Sequence, residues 1–433
     1  MRENNNSRNF VEDLIGSVSD LMKEISFEKF GLSAIIWASI CFASCDDNVV
    51  DEPETAEPQD SVIDNDGLQF SWDRVPRFLY ITGSEQFSAD ELDYIAANYS
   101  WVTLAINFGS KDSDTYEEAF KYASEELKKR NPSIKLFYYW NASRVIDHYQ
   151  ANDSFNPEWD INNGALGYKN GEPIKLVDQP LPALNISIPY AKNWWIDNAK
   201  HGLNQSYVDG IWIDATARIY NSGPQKKLTD AGLWESTEAA LYEMYAAVYQ
   251  YSKQKSKIVL GNFIREHNDF PYDKLWPYFD GSFVENHYYF MGDNPTIDVY
   301  SKNINTVISN VQDAVTRDKI VGFYLGSQGE DPAYDMDKYS FSQRETTLAK
   351  YFEYNLALYL ILAQNNVFFE YTDGFNRDNA VWRSAFPEYQ NKLGSPKGSF
   401  SLTNNVYTRE FENAFVELNI EDRTSTIKWN ANE

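Results

Sequence analysis

Two carboxylates of this chain stand at the ends of short apolar runs. The run "GIWIDA" carries Asp214 near its end, and the run "GSFVENH" carries Glu285 after its apolar part. Two facing carboxylates suit cleavage of a glycosidic bond, because one can protonate the leaving oxygen while the other attacks the anomeric carbon or activates water. Desolvation by a neighbouring Trp212 or Tyr139 would raise the pKa of such a carboxyl, as the acid requires.

Other polar and aromatic residues also lie at or near the ends of apolar runs. Glu266 and Glu370 are alternatives to Glu285 as the acid, although binding of a sugar hydroxyl or an arginine suits them better. Asp209 precedes its run, so we expect a structural role for it. The residues predicted to bind the sugar are Tyr139, Trp140, Asn141, Trp212, Asn262, Glu266, His287, Gln328 and Glu370.

Composition excludes several other classes of protein. The formal net charge of −26 excludes nucleic-acid binding through neutralised phosphates. None of the four histidines pairs with a carboxylate at helical spacing, although a scattered metal site stays open as an alternative. The serine-nucleophile pattern Gly-x-Ser-x-Gly does not occur. We therefore expect no cofactor and no metal.

The amino-terminal residues 1–45 are predicted to be a signal peptide with a lipoprotein box. An uncharged run of 14 residues, "FGLSAIIWASICFA", is too short for a membrane-spanning helix but suits a signal-peptide core. It ends just before Cys45, whose thiol is the predicted site of lipidation after cleavage. Met22 is an alternative start, because the residues before it are acidic and rich in asparagine.

Residues 46–68 are acidic, contain proline and have no periodicity, which predicts a disordered tether. Acidic residues directly after a lipidated cysteine resemble the surface-export signal of Bacteroidota lipoproteins. This resemblance implies a protein of the outer membrane that is exposed at the cell surface. The membrane would be contacted through the lipid anchor only, and other surface proteins of glycan uptake are candidate partners.

Beyond residue 69 the chain alternates short apolar runs with helical patterns. Runs that are apolar throughout are typical of parallel strands buried on both faces. Eight βα units in succession predict an α/β fold, a (β/α)8 TIM barrel, rather than a doubly wound sheet with a glycine-rich phosphate turn. The predicted strands are residues 77–83, 101–107, 134–141, 210–215, 256–262, 281–287, 319–326 and 365–371.

The barrel domain is predicted over residues 69–388, with two additions. The segment 142–193 is too long for a simple loop and is expected to form a rim or wall of the site. Residues 389–433 hold further β-like runs, too few for an independent sandwich. They are predicted to form a small β appendage packed on the barrel.

The sequence "YVDGIWIDATARI", preceded by "LNISIPYAKNWWIDNAKHGL", resembles a strand-four pattern of glycoside hydrolase barrels. It is similar to the superfamily of α-galactosidases and endo-polygalactosaminidases, including glycoside-hydrolase-like family 15. The tail "YTREFENAFVELN" resembles the closing β segment of these proteins. The resemblance implies that Asp214 is the nucleophile or base and Glu285 the acid, and analogy favours retention of anomeric configuration.

Two neighbouring families fit less well. An α-amylase would have an arginine two residues before the nucleophile, where this chain has Trp212, and an Asn-His-Asp, where Tyr288 follows Asn286 and His287. A family-18 chitinase needs a glutamate where this chain has Thr216. These departures argue against both mechanisms.

The sequence thus predicts a surface-anchored glycoside hydrolase acting on a poly- or oligosaccharide. The main alternative is a non-catalytic glycan-binding lipoprotein with a degenerate barrel, which would keep the aromatic residues and the anchor. A metal-dependent deacetylase or lyase is a weaker alternative, since its ligand cluster is missing.

Overall fold

The computed structural model describes residues 63–65, 67–155, 165–170, 172–175, 184–265, 272–285, 296–326 and 338–430. The predicted signal peptide, Cys45, Glu266, His287 and Gln328 lie outside these residues. Strands β1 (Ile63–Asn65) and β2 (Leu68–Phe70) pair as an antiparallel hairpin. This hairpin spans the predicted end of the tether at residue 68.

Eight parallel strands form the central sheet, and each overlaps one of the eight predicted strands. Each strand pairs with its neighbours in chain order, and a parallel bridge between Arg77 and Phe369 joins the first strand to the last. The prediction of a (β/α)8 barrel is therefore confirmed. The strands are β3 (Phe78–Ile81), β4 (Trp101–Leu104), β5 (Lys135–Asn141), β8 (Gly210–Asp214), β9 (Ile258–Ile264), β10 (Gly281–Glu285), β11 (Ile320–Leu325) and β12 (Val367–Tyr371).

Helices connect these strands and cover the barrel. The predicted capping box at the first helix is present, since Ser88 accepts from the Glu91 amide and the Glu91 carboxylate accepts from the Ser88 amide. The helices are α1 (Ala89–Asn98), α2 (Tyr116–Arg130), α3 (Pro189–Leu203), α4 (Ser222–Asp230), α5 (Trp234–Gln254), α6 (Tyr272–Leu275), α7 (Ile297–Thr316) and α8 (Phe341–Leu362). No helix among the described residues has the length and apolar character needed to cross a membrane.

Large aromatic rings fill the interior of the barrel. The rings of Phe78 and Trp101 stack with centroids 4.4 Å apart, and Phe283 meets Phe78 edge-on. A Cβ at Gly322 would lie 3.0 Å from the Phe78 ring and 3.2 Å from the Trp101 ring. Only glycine fits at this position without moving those rings, so the barrel is a filled core rather than a channel.

The segment after β5 adds a second small hairpin, formed by β6 (Ala165–Lys169) and β7 (Glu172–Lys175). The carboxyl-terminal residues form a separate antiparallel sheet, as predicted. Its strands are β13 (Ser401–Thr403), β14 (Val406–Glu410), β15 (Ala414–Asn419) and β16 (Thr424–Trp429).

A buried arginine joins this sheet to α8. The Arg409 guanidinium donates to the carbonyl oxygens of Leu360 at 2.9 Å and Ile361 at 3.0 Å, and also to that of Ala363. These carbonyls lie at the end of α8 and lack intrahelical partners, so the appendage caps a barrel helix.

Candidate active site

Asp214 lies at the carboxyl end of β8, where the backbone turns sharply. The next residue, Ala215, has φ +56°, a left-handed conformation that is uncommon for a residue other than glycine. The turn brings the Ala215 amide 2.6 Å from Asp214 Oδ1. The Thr216 hydroxyl donates to the Ile213 carbonyl at 2.6 Å and accepts from the backbone N–H of Asn262 at 3.1 Å. The bond to Ile213 stabilises the turn, and the bond from Asn262 connects the turn to strand β9.

Both carboxylate oxygens of Asp214 accept hydrogen bonds from side chains of neighbouring strands. The Tyr139 hydroxyl donates to Oδ2 at 2.7 Å, and Asn141 Nδ2 lies 3.4 Å from the same atom. Burial and the nearby carboxylate raise the pKa of Tyr139 well above its usual value, so the hydroxyl keeps the proton that it donates. With Asn262 and the Ala215 amide on Oδ1, four donors surround this carboxylate.

Asn262 connects the two predicted catalytic carboxylates. Its Nδ2 lies 3.2 Å from Asp214 Oδ1 and 3.0 Å from Glu285 Oε2. Its Oδ1 accepts from the Arg265 guanidinium at 2.8 Å, which fixes the orientation of the amide. Sequence reasoning selected Asn262 as a sugar-binding residue, but its side chain is buried and both ends of its amide are occupied by protein groups.

Glu285 lies at the carboxyl end of β10 in a less polar environment than Asp214. Burial raises its pKa, and the Asp214 carboxylate adds to this, while Arg265, Asn262 and Arg218 act in the opposite direction. Among the described residues, Asn262 is the one side chain that donates a hydrogen bond to it. The environment therefore favours the protonated form of Glu285 more than that of an exposed glutamate.

A cluster of packed aromatic rings lies next to the two carboxylates. Trp212 is buried, with its ring 4.7 Å from that of Tyr80 and 5.7 Å from those of Tyr139 and Phe283. Tyr80 interacts electrostatically with both carboxylates, and burial raises its pKa well above the usual value. Sequence reasoning missed Tyr80, although its place near the end of the first strand was a signal.

Three arginines near the pair were also missed by sequence reasoning. Arg265 follows β9 and holds Asn262, as described above. Arg144 and Arg218 follow β5 and β8 within four residues, and they interact electrostatically with Asp214 and Glu285, respectively. A search for cations close behind the predicted strands would have found them.

Two of the predicted sugar-binding residues, Trp140 and Glu370, are buried and contact other side chains of the protein. Trp140 is buried against Trp194 and Trp195 of α3, in the layer between strand and helix. Glu370 is fully buried on β12, 3.7 Å from the Arg77 guanidinium and 3.4 Å from the Tyr99 hydroxyl. Burial raises the pKa of Glu370 to about 8, against the influence of Arg77.

Asp209 occupies the position expected of a structural residue. Its carboxylate accepts from the Leu136 amide at 2.9 Å and pairs with Lys128 at 2.7 Å, at the start of strands β5 and β8. Within the described part of the chain, histidine, cysteine and carboxylate side chains form no group of three or more that could hold a metal ion.

Several solved structures resemble this fold. A noncanonic maltogenic α-amylase AmyB from Thermotoga neapolitana is 12% identical, with 80% of this chain and 86% of that chain covered and a TM-score of 0.46. The glycoside hydrolase domain of PelA from Pseudomonas aeruginosa is 10% identical, with 58% and 83% covered and a TM-score of 0.37. Ega3 from Aspergillus fumigatus, in complex with galactosamine, is 11% identical, with 64% and 87% covered and a TM-score of 0.40.

Comparison of the amino-acid sequence identifies a family, which the structural likenesses alone do not. Among curated proteins, no sequence matches this chain. The model of one protein family, described as "Hypothetical glycosyl hydrolase family 15", matches residues 128–415, about two thirds of the chain. The matched region includes Tyr139, Asp214, Asn262 and Glu285. The resemblance inferred from the strand-four pattern is thus confirmed, and the chain belongs to the hypothetical glycosyl hydrolase family 15.

Proposed function

We propose that this protein hydrolyses glycosidic bonds of a poly- or oligosaccharide, with Glu285 as the general acid and Asp214 as the nucleophile. The observation that carries the proposal is the Asn262 bridge, in which one amide nitrogen is bonded to both carboxylates at the carboxyl ends of their strands. The carboxyl ends of the strands are where barrel enzymes hold their catalytic groups.

The surroundings of the two carboxylates support different roles for them. Asp214 accepts four hydrogen bonds, which stabilise the negative charge that a nucleophile must carry. Glu285 has one described side-chain donor and a pKa raised by burial, which suits a group that must hold a proton until the leaving oxygen takes it. The different surroundings of the two carboxylates therefore support Glu285 as the acid and Asp214 as the nucleophile.

The spacing of the carboxylates supports retention of anomeric configuration. The two oxygens bonded to Asn262 Nδ2, at 3.2 and 3.0 Å, can lie at most about 6.2 Å apart. Retaining glycosidases hold their carboxyl groups about 5–5.5 Å apart, whereas inverting enzymes need about 6.5–9.5 Å to admit a water molecule. We therefore expect a covalent glycosyl intermediate on Asp214.

The test is an assay of new reducing ends with the purified full-length protein on algal, plant, host and microbial polysaccharides. Asp214→Asn should abolish release, while Asp313→Asn, a surface carboxylate of α7, should leave it unchanged. The first-formed anomer, read by proton NMR, should have the configuration of the substrate. Equal activity of Asp214→Asn and wild type would contradict the proposal. Glycan binding without any cleavage would favour the non-catalytic alternative.

We also propose that the protein is anchored to the outer membrane through a lipid on Cys45 and is exposed at the cell surface. The support is in the sequence, where an uncharged run ends in small residues before this cysteine. Cys45→Ser should move the protein out of the membrane fraction, and Cys41→Ser, which precedes the predicted cleavage point, should not. Surface exposure predicts digestion by protease added to intact cells.

A further inference from the structure

Two arginines stand beside the carboxylate pair on adjacent loops. Arg144 follows β5 by three residues, and Arg218 follows β8 by four. These strands are neighbours whose last residues, Asn141 and Asp214, are paired in register. Both arginines therefore lie at the same end of the barrel as the carboxylates, and both are half-buried.

Each of these guanidinium groups has a buried nitrogen without a hydrogen-bond partner. Nη2 of Arg144 and Nη1 of Arg218 make no hydrogen bond within the described chain, and neither arginine forms an ion pair with a described carboxylate. A buried donor left unsatisfied costs about 1–3 kcal/mol, and more when it is charged. Such a cost at two adjacent positions indicates groups that await a ligand.

Other buried arginines of the barrel have protein partners. Arg77 also has two buried nitrogens without a hydrogen-bond partner, but its third nitrogen donates to the Tyr99 hydroxyl at 2.8 Å and lies 3.7 Å from the Glu370 carboxylate. Arg344 contacts the Asp373 carboxylate at 2.7 Å, and Arg377 contacts that of Glu91 at 2.7 Å. Arg265, beside the same site, is bonded to Asn262 Oδ1 and to the Ile264 carbonyl. Arg144 and Arg218 differ from these in their missing acceptor, so a structural role does not account for them.

The charges near the site also favour an anion. Burial and the charge of Arg218 lower the pKa of Arg144, which means that the two cations repel each other. With Arg265, three guanidinium groups lie near the Asp214 carboxylate and the Glu285 carboxyl, and the pKa of that carboxyl is raised by burial. The site is therefore rich in positive charge, in a chain whose formal net charge is −26. An anion placed between Arg144 and Arg218 would relieve their repulsion and satisfy their free donors.

We infer that the substrate is an anionic glycan, and that Arg144 and Arg218 bind a carboxylate or sulfate group on a sugar next to the bond that is cleaved. This inference rests on the proposed function for the position of that bond. The planar guanidinium fork matches the paired oxygens of a carboxylate or a sulfate ester, so the two arginines would select charged over neutral sugars.

Binding to charged and uncharged forms of one glycan tests the inference. The probes are polygalacturonate and its carboxyl-reduced neutral form, and chondroitin sulfate with its desulfated and carboxyl-reduced forms. Calorimetry with Asp214→Asn as the background prevents turnover. At least one anionic probe should bind. Weaker binding of its carboxyl-reduced form would identify the carboxylate as the group recognised, and weaker binding of its desulfated form would identify the sulfate.

Substitution of the arginines should remove this selectivity. Arg144→Gln and Arg218→Gln should each weaken binding of the anionic probe about 10-fold or more, the usual effect of losing a charge-assisted contact. Arg130→Gln, at the surface end of α2, is the matched control and should have no effect. If a glutamine variant does not fold, Arg144→Lys and Arg218→Lys keep the charge but lose the fork, and should still bind more weakly.

Three results would overturn the inference. These are binding of no anionic probe, equal binding of charged and neutral forms, and anionic binding that the Arg130 control weakens as much as the site variants. The proposed hydrolysis is judged separately with native Asp214. Arginine-dependent binding without cleavage would defeat that proposal alone, and cleavage of neutral glycans only would defeat the anionic substrate alone.

Discussion

The hydroxyl of Tyr139 donates a 2.7 Å hydrogen bond to Oδ2 of Asp214 across the neighbouring strands β5 and β8. The Tyr139 ring stacks on that of Trp212 and is almost fully buried. The hydroxyl is therefore held by packing and needs no reorganisation when a substrate binds. A fixed donor of this kind stabilises the charge of Asp214 and orients its free lone pairs.

Loss of this hydroxyl should reduce catalysis without loss of the fold. We expect Tyr139→Phe to lower kcat about 10- to 100-fold and the free energy of unfolding by about 1–2 kcal/mol. The hydroxyl's bond to Asp214 and the 3.3 Å bond that it accepts from Asn141 are lost, whereas the ring remains. Steady-state kinetics and thermal unfolding measure the two effects. Tyr359→Phe, which removes a buried hydroxyl bonded to the Val367 carbonyl at 2.8 Å, is the control for a purely structural loss. An unchanged kcat for Tyr139→Phe would show that this donor is not needed.

Removal of the Asn262 amide should affect both carboxylates. We expect Asn262→Ala to lower kcat about 100-fold, as is usual for loss of a preorganised donor at an active site. The hydrogen bond from Asn262 lowers the pKa of Glu285, so its loss should raise that pKa. Since the acid is active when protonated, the alkaline limb of the kcat–pH profile should move to higher pH.

The control for this variant is Asn198→Ala. The side-chain amide of Asn198 donates to the Trp194 carbonyl within α3, far from the carboxylate pair. It should change neither kcat nor the pH profile. An alkaline limb that moves to lower pH in Asn262→Ala would contradict the assignment of Glu285 as the acid.

Glu285→Gln should stabilise the protein at alkaline pH while it reduces activity. The folded-state pKa of Glu285 is raised by burial, so the folded state binds this proton more tightly than the unfolded state. The stability that this provides is complete below the unfolded pKa, about 4.3, and is lost as pH rises through the folded pKa. Glutamine does not titrate, so the advantage of the variant over wild type should grow as pH rises through this range.

Denaturant unfolding at pH 4 and at pH 8 measures this difference. The same measurement on Glu417→Gln, on the exposed face of β15, is the control for removal of a carboxylate far from the site. A stabilisation by Glu285→Gln that is larger at pH 4 than at pH 8 would refute the raised pKa.

The appendage should contribute to stability rather than to catalysis. Arg409→Met removes the donors to three carbonyls at the end of α8 and should lower the free energy of unfolding by about 2–3 kcal/mol. Calorimetric unfolding should show a lower Tm, and kcat well below that Tm should be unchanged. Lys397→Met, which loses an exposed ion pair with Glu410, should have little effect. A large fall in kcat for Arg409→Met would imply that the appendage acts on the site.

Much of the fold could be predicted from local patterns. The run "LFYYW" within β5 is a continuous stretch of large apolar and aromatic residues, as is typical of a parallel strand covered on both faces, and the capping box at Ser88 marks the start of a helix. Eight such units in order permit few closed arrangements, since parallel connections have one hand. The strand ends then indicated Asp214 and Glu285 as facing groups.

The hydrogen-bond partners of these groups could not be predicted in the same way. Asn262 was identified as a polar residue at a strand end, yet its bridging role depends on the stagger of three neighbouring strands, which a one-residue shift would change. Arg144 and Arg218 lie 74 positions apart in the chain and come together because β5 and β8 are adjacent.

The sequence by itself determined the barrel, its order of strands and the family, and it indicated the two candidate carboxylates, because these follow from local periodicity and from residues next to one another. The tertiary structure decided which carboxylate is desolvated, which amide joins the pair and which arginines have no acceptor. These properties depend on distances between strands and on exclusion of water, which arise only when the sheet closes and its faces are covered.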